Sequence, residues 1–154
     1  MNKSILLILF LVINFGGLYL GNILMNNGPQ TEWYINLNKA PWTPPGWVFG
    51  AAWTIIMVFF SIYLVLLYEE INLKVFSGLL LLEFILNVSW NYLFFNQHLT
   101  LLGLIILILL TLTIAYYFFN FKFNNLSYWR YLLLPYLIWL ILATSLNTYV
   151  VLNN

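Results

Sequence analysis

A chain of 154 residues that is 64% hydrophobic, 20% aromatic and only 6% charged cannot cover a water-soluble surface, for which about 25% charged residues is usual. The absence of cysteine excludes a disulfide framework, a thiolate nucleophile and a thiolate metal site. A formal net charge of +1 with no basic block argues against nucleic acid as a partner.

Five apolar stretches follow one another, at about 4–25, 44–67, 75–95, 100–121 and 131–152. Each has the roughly twenty residues needed to cross ~30 Å of hydrocarbon. They predict an all-α fold, an integral membrane bundle of five transmembrane helices forming one domain, 1–154. The first stretch carries only Lys3 ahead of it and ends in "GNILMNNGPQ" rather than a small-x-small cleavage site, so it reads as a retained helix. The connections 69–74, 96–99 and 122–130 are short enough for antiparallel neighbours. The loop 26–43 is longer and carries Glu32, Trp33, Tyr34 and Lys39, and long loops in compact folds are usually functional. Lys3, Lys74, Lys122 and Arg130 fall at one end of the spans and Lys39 at the other. The positive-inside rule then puts the N-terminus inside, and the long first loop and the C-terminus outside.

The second span opens with "KAPWTPPGWVFGAAW", which holds three prolines and three tryptophans. Thr43 is read as the N-cap, with Pro44 and Pro45 in the first helical turn, where a missing donor costs little. Trp42 and Trp47 then have the spacing of a hydrophobic staple. Farther along, Gly46, Gly50, Trp53 and Met57 share a helical face. The Gly46/Gly50 pair, like Gly17/Gly21 in the first span, has the small-xxx-small spacing that permits close helix approach. An interfacial aromatic belt accounts for Trp42 and Trp47 as well as an entry device does. It accounts poorly for Trp53, which lies more than two turns inside.

Polar side chains within hydrocarbon must find partners. Glu83, Asn87 and Asn91 follow i, i+4, i+8 in the third span, beside Trp90 and Phe94. Trp139, Ala143 and Asn147 repeat that spacing in the fifth, beyond Pro135. Two readings stand for Asn87 and Asn147: bonds that hold helices together, or polar points in a ligand pocket. For Glu83 the alternatives are an anchor for a ligand or subunit contact and a neutral acid bonded to a neighbouring helix. The only histidine, His98, is in a short loop, so Ser-His-Asp chemistry and histidine metal clusters have no intramembrane basis. No P-loop or G-x-G-x-x-G occurs. The residues therefore describe an aromatic, mostly neutral cavity suited to a large flat apolar ligand, with no metal and no cofactor apart from such a ligand.

Three segments, "EWYINLNKAPWTPPGWVFGAAW", "LNVSWNYLFF" and "LPYLIWLILATSLN", resemble the TspO/MBR family of tryptophan-rich sensory proteins, bacterial homologues of the mitochondrial translocator protein, or peripheral-type benzodiazepine receptor. With five spans, the likeness covers essentially the whole chain. It implies a commonly dimeric bundle in the bacterial cell membrane whose pocket opens beneath the first long loop. It also implies protoporphyrin IX or related porphyrins as ligands, and binding of benzodiazepine-type drugs. Carried over by motif, the ligand-binding positions are Trp33, Trp53, Asn87, Trp90, Phe94, Trp139, Ala143, Leu146 and Asn147. Trp33, Phe94 and Leu146 rest mainly on the resemblance. Tyr149 is followed only by "VVLNN", without the basic residue of the animal proteins' cholesterol motif; the looser pattern is met by Leu66, Tyr68 and Lys74 and by Leu126, Tyr128 and Arg130.

Two functional expectations follow from the resemblance. One is a protein that senses, regulates or disposes of porphyrins, including by light- and oxygen-dependent degradation with Trp53 and Trp139 as electron donors. The alternative is a translocator of tetrapyrroles or other apolar ligands across the membrane.

Overall fold

The computed structural model describes residues 2–121 and 127–154. Its five membrane-length helices bear out the all-α reading. They are α1 (Lys3–Leu24), α3 (Gly46–Glu70), α4 (Leu73–Asn91), α5 (Thr100–Asn120) and α6 (Leu134–Asn153), with the short α2 (Glu32–Asn36) in the first loop. Asparagines set two of the starts. Asn2 Oδ1 accepts the Ser4 amide at 3.0 Å, and Asn72 Oδ1 accepts the Lys74 amide at 2.9 Å, each satisfying a donor with no intrahelical partner. At its far end α1 stops where Asn26 and Asn27 take φ of 49° and 57°, a left-handed conformation that asparagine tolerates better than most residues.

The start of α3 differs from the sequence expectation. Thr43 does not cap it: Thr43 Oγ1 and its amide both donate to Ala40 O, at 2.7 and 2.9 Å, closing a turn before the helix. The helix begins at Gly46, after Pro45 with φ −56° and ψ 148°. The reason lies in the Pro-Pro pair. A residue before proline is pushed out of the α region, so neither Thr43 nor Pro44 can adopt helical ψ. The staple fails with the cap. Trp47 is 75% exposed, and Trp42 turns instead to α6, where its indole N–H donates to Ser145 Oγ at 3.2 Å and its ring meets Tyr149 edge-on. At the other end of the chain, Pro135 lies in the first turn of α6, behind a 3₁₀ turn at Trp129–Leu133.

The spans close into a ring in the order α1, α3, α6, α5, α4 and back to α1. Small and polar residues let α1 seat. Gly17 faces the Phe84 ring and Gly21 the Asn91 side chain, both on α4, while Asn14 donates to Ser61 Oγ of α3 at 2.8 Å. The expected close approach therefore holds for Gly17 and Gly21. It does not hold for Gly46 and Gly50, which have no described atom within 4 Å of a built Cβ.

Lys3 pairs with Glu69 at 2.9 Å, tying the start of α1 to the end of α3. Antiparallel spans bring Lys74 and Arg130 to the same end of the bundle and leave Lys39 at the other. Lys122, counted in the charge argument, lies outside the described residues, as does Leu126. A fully buried core lies in the half near Lys3. There Phe60, Tyr63, Leu64 and Leu67 of α3 meet Ile114 and Tyr117 of α5, with Leu133, Tyr136 and Leu140 from the approach to α6 and α6 itself, all essentially without exposure.

Candidate functional site beneath the first loop

In the opposite half, nearer the loop 26–43, the interior changes character. Trp53, Asn87, Trp90 and Leu146 are only half-buried, whereas Phe94, Trp139, Ala143 and Asn147 are buried. The nine sequence-selected positions thus come from α2, α3, α4 with its last turn, and α6. Asn147, 2% exposed, is where α4, α5 and α6 meet. Its Oδ1 accepts the Trp90 indole N–H at 3.2 Å and its Nδ2 donates to Thr100 O at 2.9 Å. Gly103 of α5 makes this possible, because a Cβ there would lie 3.2 Å from Asn147 Oδ1 and 3.3 Å from Phe94.

Two and three turns down α6, Trp139 meets Phe49 edge-on with ring centroids 5.1 Å apart, and Tyr136 meets Trp53 at 5.8 Å. Tyr136 leads to the buried acid. Its hydroxyl donates to Glu83 Oε1 at 2.6 Å, and Asn87 Nδ2 donates to the same carboxyl oxygen at 3.3 Å and to the Tyr136 hydroxyl oxygen at 3.0 Å. Glu83, 2% exposed, is thus bonded to Tyr136 of α6 and to Asn87 on its own helix, so the buried acid has two donors where a bare carboxyl in hydrocarbon would have none.

The first loop closes over this half through an aromatic cluster. At the end of α4, residues Tyr92–Asn96 widen into a π turn, in which the Gln97 amide reaches back to Tyr92 O at 3.0 Å. A π turn changes the angular step between residues and is a recurrent feature of functional sites. Here it sets Phe94 and Phe95 both inward, where they pack with Trp33, Tyr34, Leu37, Met25 and Val150. Trp33 stacks on His98, with centroids 4.0 Å apart and planes 11° apart, and meets Phe94 edge-on at 5.6 Å. Trp90 stacks beneath, 5.5 Å from Phe94.

Polar bonds hold the loop from both sides. Asn38 and Asn154 exchange bonds, with the Asn38 amide donating to Asn154 Oδ1 at 2.8 Å and Asn154 Nδ2 to Asn38 O at 3.2 Å. Lys39 Nζ donates to Tyr34 O at 2.8 Å and Ile35 O at 3.2 Å, satisfying terminal carbonyls of α2. Burial raises the Tyr34 phenol above its ordinary range, so this loop residue stays neutral at physiological pH.

Sequence reasoning did not single out Tyr136, Phe49, Phe95 or Gly103. Tyr136 was within reach of it, because it lies three residues before Trp139 and so shares that helical face. The others join this cluster only through the crossing of helices. Among the described residues no group of three His, Cys, Asp or Glu side chains is placed to hold a metal. The arrangement offers flat aromatic surfaces, amide groups and the hydrogen-bonded triad of Glu83, Tyr136 and Asn87.

The sequence profile of the TspO/MBR family matches residues 7–152. The chain is 29% identical to the tryptophan-rich protein TspO of Bacillus cereus, over 96% of this chain and 94% of that one. It is 33% identical to the protein of the same name from Archaeoglobus fulgidus, over 88% of each. It is also 29% identical to the human translocator protein, over 85% of this chain and 79% of the human one.

Proposed function

The chain belongs to the TspO/MBR family, and on that premise we propose that this integral membrane protein binds tetrapyrroles, protoporphyrin IX and related porphyrins, in order to sense, regulate or dispose of them. The observation that carries the reading is the contrast between the two halves of the bundle. In the half near Lys3, α3, α5 and α6 pack into a core without exposure, while α1 and α4 leave an open apolar groove lined by Phe10, Ile13, Phe76, Leu80 and Phe84. The half beneath the first loop is built from half-buried tryptophans on α3 and α4 facing the Trp139–Ala143–Asn147 stripe of α6. A macrocycle replacing the ring contacts of Trp53 with Tyr136, Trp90 with Phe94 and Trp139 with Phe49 gains burial at about 25 cal/mol per Å². That is enough for micromolar binding after association costs, without a metal ligand. Asn87 and Asn147 supply amide contacts at the edge, and Trp33 closes the mouth. Benzodiazepine-type drugs are expected to compete for the same surface. The host membrane is proposed to be the bacterial cell membrane, with the first loop outside and a homodimer as the assembly.

Titration of protoporphyrin IX into detergent-solubilised protein, followed by tryptophan fluorescence, tests the reading. Saturable quenching is expected, and it should weaken at least tenfold in apparent affinity when Trp53→Ala and Trp139→Ala are combined. Unsaturable quenching, or quenching indifferent to both substitutions, overturns it.

The ring contact between Trp53 and Tyr136 supports a second reading, light-dependent degradation of the bound porphyrin. In it the excited porphyrin and oxygen carry the chemistry, and Trp53 and Trp139 act as one-electron donors. Product is then expected only under illumination with oxygen present, and turnover in the dark excludes the mechanism. The alternative of translocation, for which the human relative is named, predicts porphyrin flux into proteoliposomes containing the protein.

A further inference from the structure

Arg130 is the chain's single arginine, and it lies in the 3₁₀ turn Trp129–Leu133 that leads into α6. Its guanidinium carbon sits 5.2 Å from the ring centroids of both Phe118, on α5, and Tyr131. The polar side of the group is poorly served. Nη2 donates to the Tyr131 hydroxyl at a long 3.4 Å, and Nε is buried without an acceptor. No carboxylate lies within ion-pairing distance among the described residues, where the ion pair found is Lys3–Glu69.

A buried Nε donor without an acceptor is costly, and the planar fork of the half-exposed guanidinium matches the oxygens of a phosphate in a bidentate fashion. The two rings hold the group by cation–π contact and so fix the direction of its remaining donors. The depth is that of the membrane interface. Arg130 stands just outside the last span, among exposed Tyr128, Trp129 and Tyr131, the residue types that populate the headgroup layer. The anion abundant at that level is a phospholipid phosphate. With no carboxylate beside Arg130 to offset its charge, a headgroup of net negative charge is favoured over a zwitterionic one.

We propose that Arg130, held between Phe118 and Tyr131, forms a site for the headgroup phosphate of an anionic phospholipid at the end of the bundle opposite the first loop. This site is independent of the tetrapyrrole reading.

The test is lipid retention by the full chain. The protein is reconstituted in vesicles of equal phosphatidylglycerol and phosphatidylcholine, extracted into mild detergent, and its bound lipid counted by native mass spectrometry. The wild type is expected to enrich phosphatidylglycerol about fivefold, the scale of one basic residue at an anionic surface, and Arg130→Gln to abolish the enrichment. Arg130→Lys, which keeps the charge but loses the fork, should retain only part of it. Phe118→Leu, which keeps the arginine and removes one ring, should also lower it. These two variants carry the test if Arg130→Gln does not fold. Equal retention of the two lipids by the wild type, or enrichment unchanged in the variants, overturns the proposal. Inorganic phosphate is titrated separately into delipidated protein. No Arg130-dependent thermal shift is expected, and a saturable shift lost in Arg130→Gln would assign the site to soluble phosphate instead of lipid.

Discussion

Tyr136 of α6 donates its hydroxyl to Glu83 of α4 at 2.6 Å, joining two helices that α5 separates around the ring. Asn87 completes the triad by donating to both. The interior of the bundle is therefore bridged by hydrogen bonds as well as filled by rings, and the bridge lies between the buried core of α3, α5 and α6 and the half beneath the loop.

Replacing the acid by an apolar residue should cost more than replacing it by an amide. Glu83→Leu leaves the Tyr136 hydroxyl without its acceptor and the Asn87 amide with one fewer, a loss of about 1–3 kcal/mol. Glu83→Gln keeps a carbonyl oxygen where Oε1 stands and should lose less than half as much. Thermal unfolding in detergent measures both, and equal losses would show that the acid is not held by this network.

Asn147 joins α4 and α5 to α6 through the Trp90 indole and the Thr100 carbonyl. Asn147→Leu should lower stability by about 1–3 kcal/mol, because two half-buried polar groups lose their partner. Gly103→Ala presses a methyl to 3.2 Å from Asn147 Oδ1 and should cost about 1–3 kcal/mol by overpacking. If the two act through the same junction, the double variant will lose less than the sum of the singles.

The glycines of α1 and α3 should respond in opposite directions. Gly50→Ala meets open space and should be neutral or stabilise by up to about 1 kcal/mol through helix propensity. Gly17→Ala brings a methyl to 3.0 Å from the Phe84 ring and should destabilise. A Gly50→Ala variant that unfolds at lower temperature would reveal a contact made by that face in the assembled protein.

The loop is held by the Trp33–His98 stack, and Lys39 is its one trypsin site. Trp33→Ala and His98→Ala should each speed cleavage after Lys39 several-fold, while the helical content is unchanged. Cleavage at the wild-type rate in both would mean that Asn38, Asn154 and Trp42 suffice to hold the loop.

The spans were legible because hydrocarbon imposes a length and forbids uncompensated charge, so α1, α3, α4, α5 and α6 stand near where apolar runs placed them. The stripe of Trp139, Ala143 and Asn147 was legible for a related reason. Helical periodicity fixes which residues share a face, and polar residues on such a face cannot point to lipid. The start of α3 was misjudged at Thr43 because each proline was weighed by itself, whereas the restriction each imposes on the residue before it acts on the pair. Gly46 and Gly50 misled in another way. Small residues permit a close approach without creating one, and among the described residues nothing packs against Gly46 or Gly50 themselves.

By itself, then, the sequence determined the helices, their number, and the faces that needed partners. Local backbone geometry and the cost of polar groups in hydrocarbon act within one segment and need no knowledge of the others. Only the tertiary structure decided which partners those faces received. It set Tyr136 against Glu83, Trp90 against Asn147 through the gap at Gly103, and His98 under Trp33. Each of these depends on ring order and crossing geometry, which arise from packing between segments far apart in the chain.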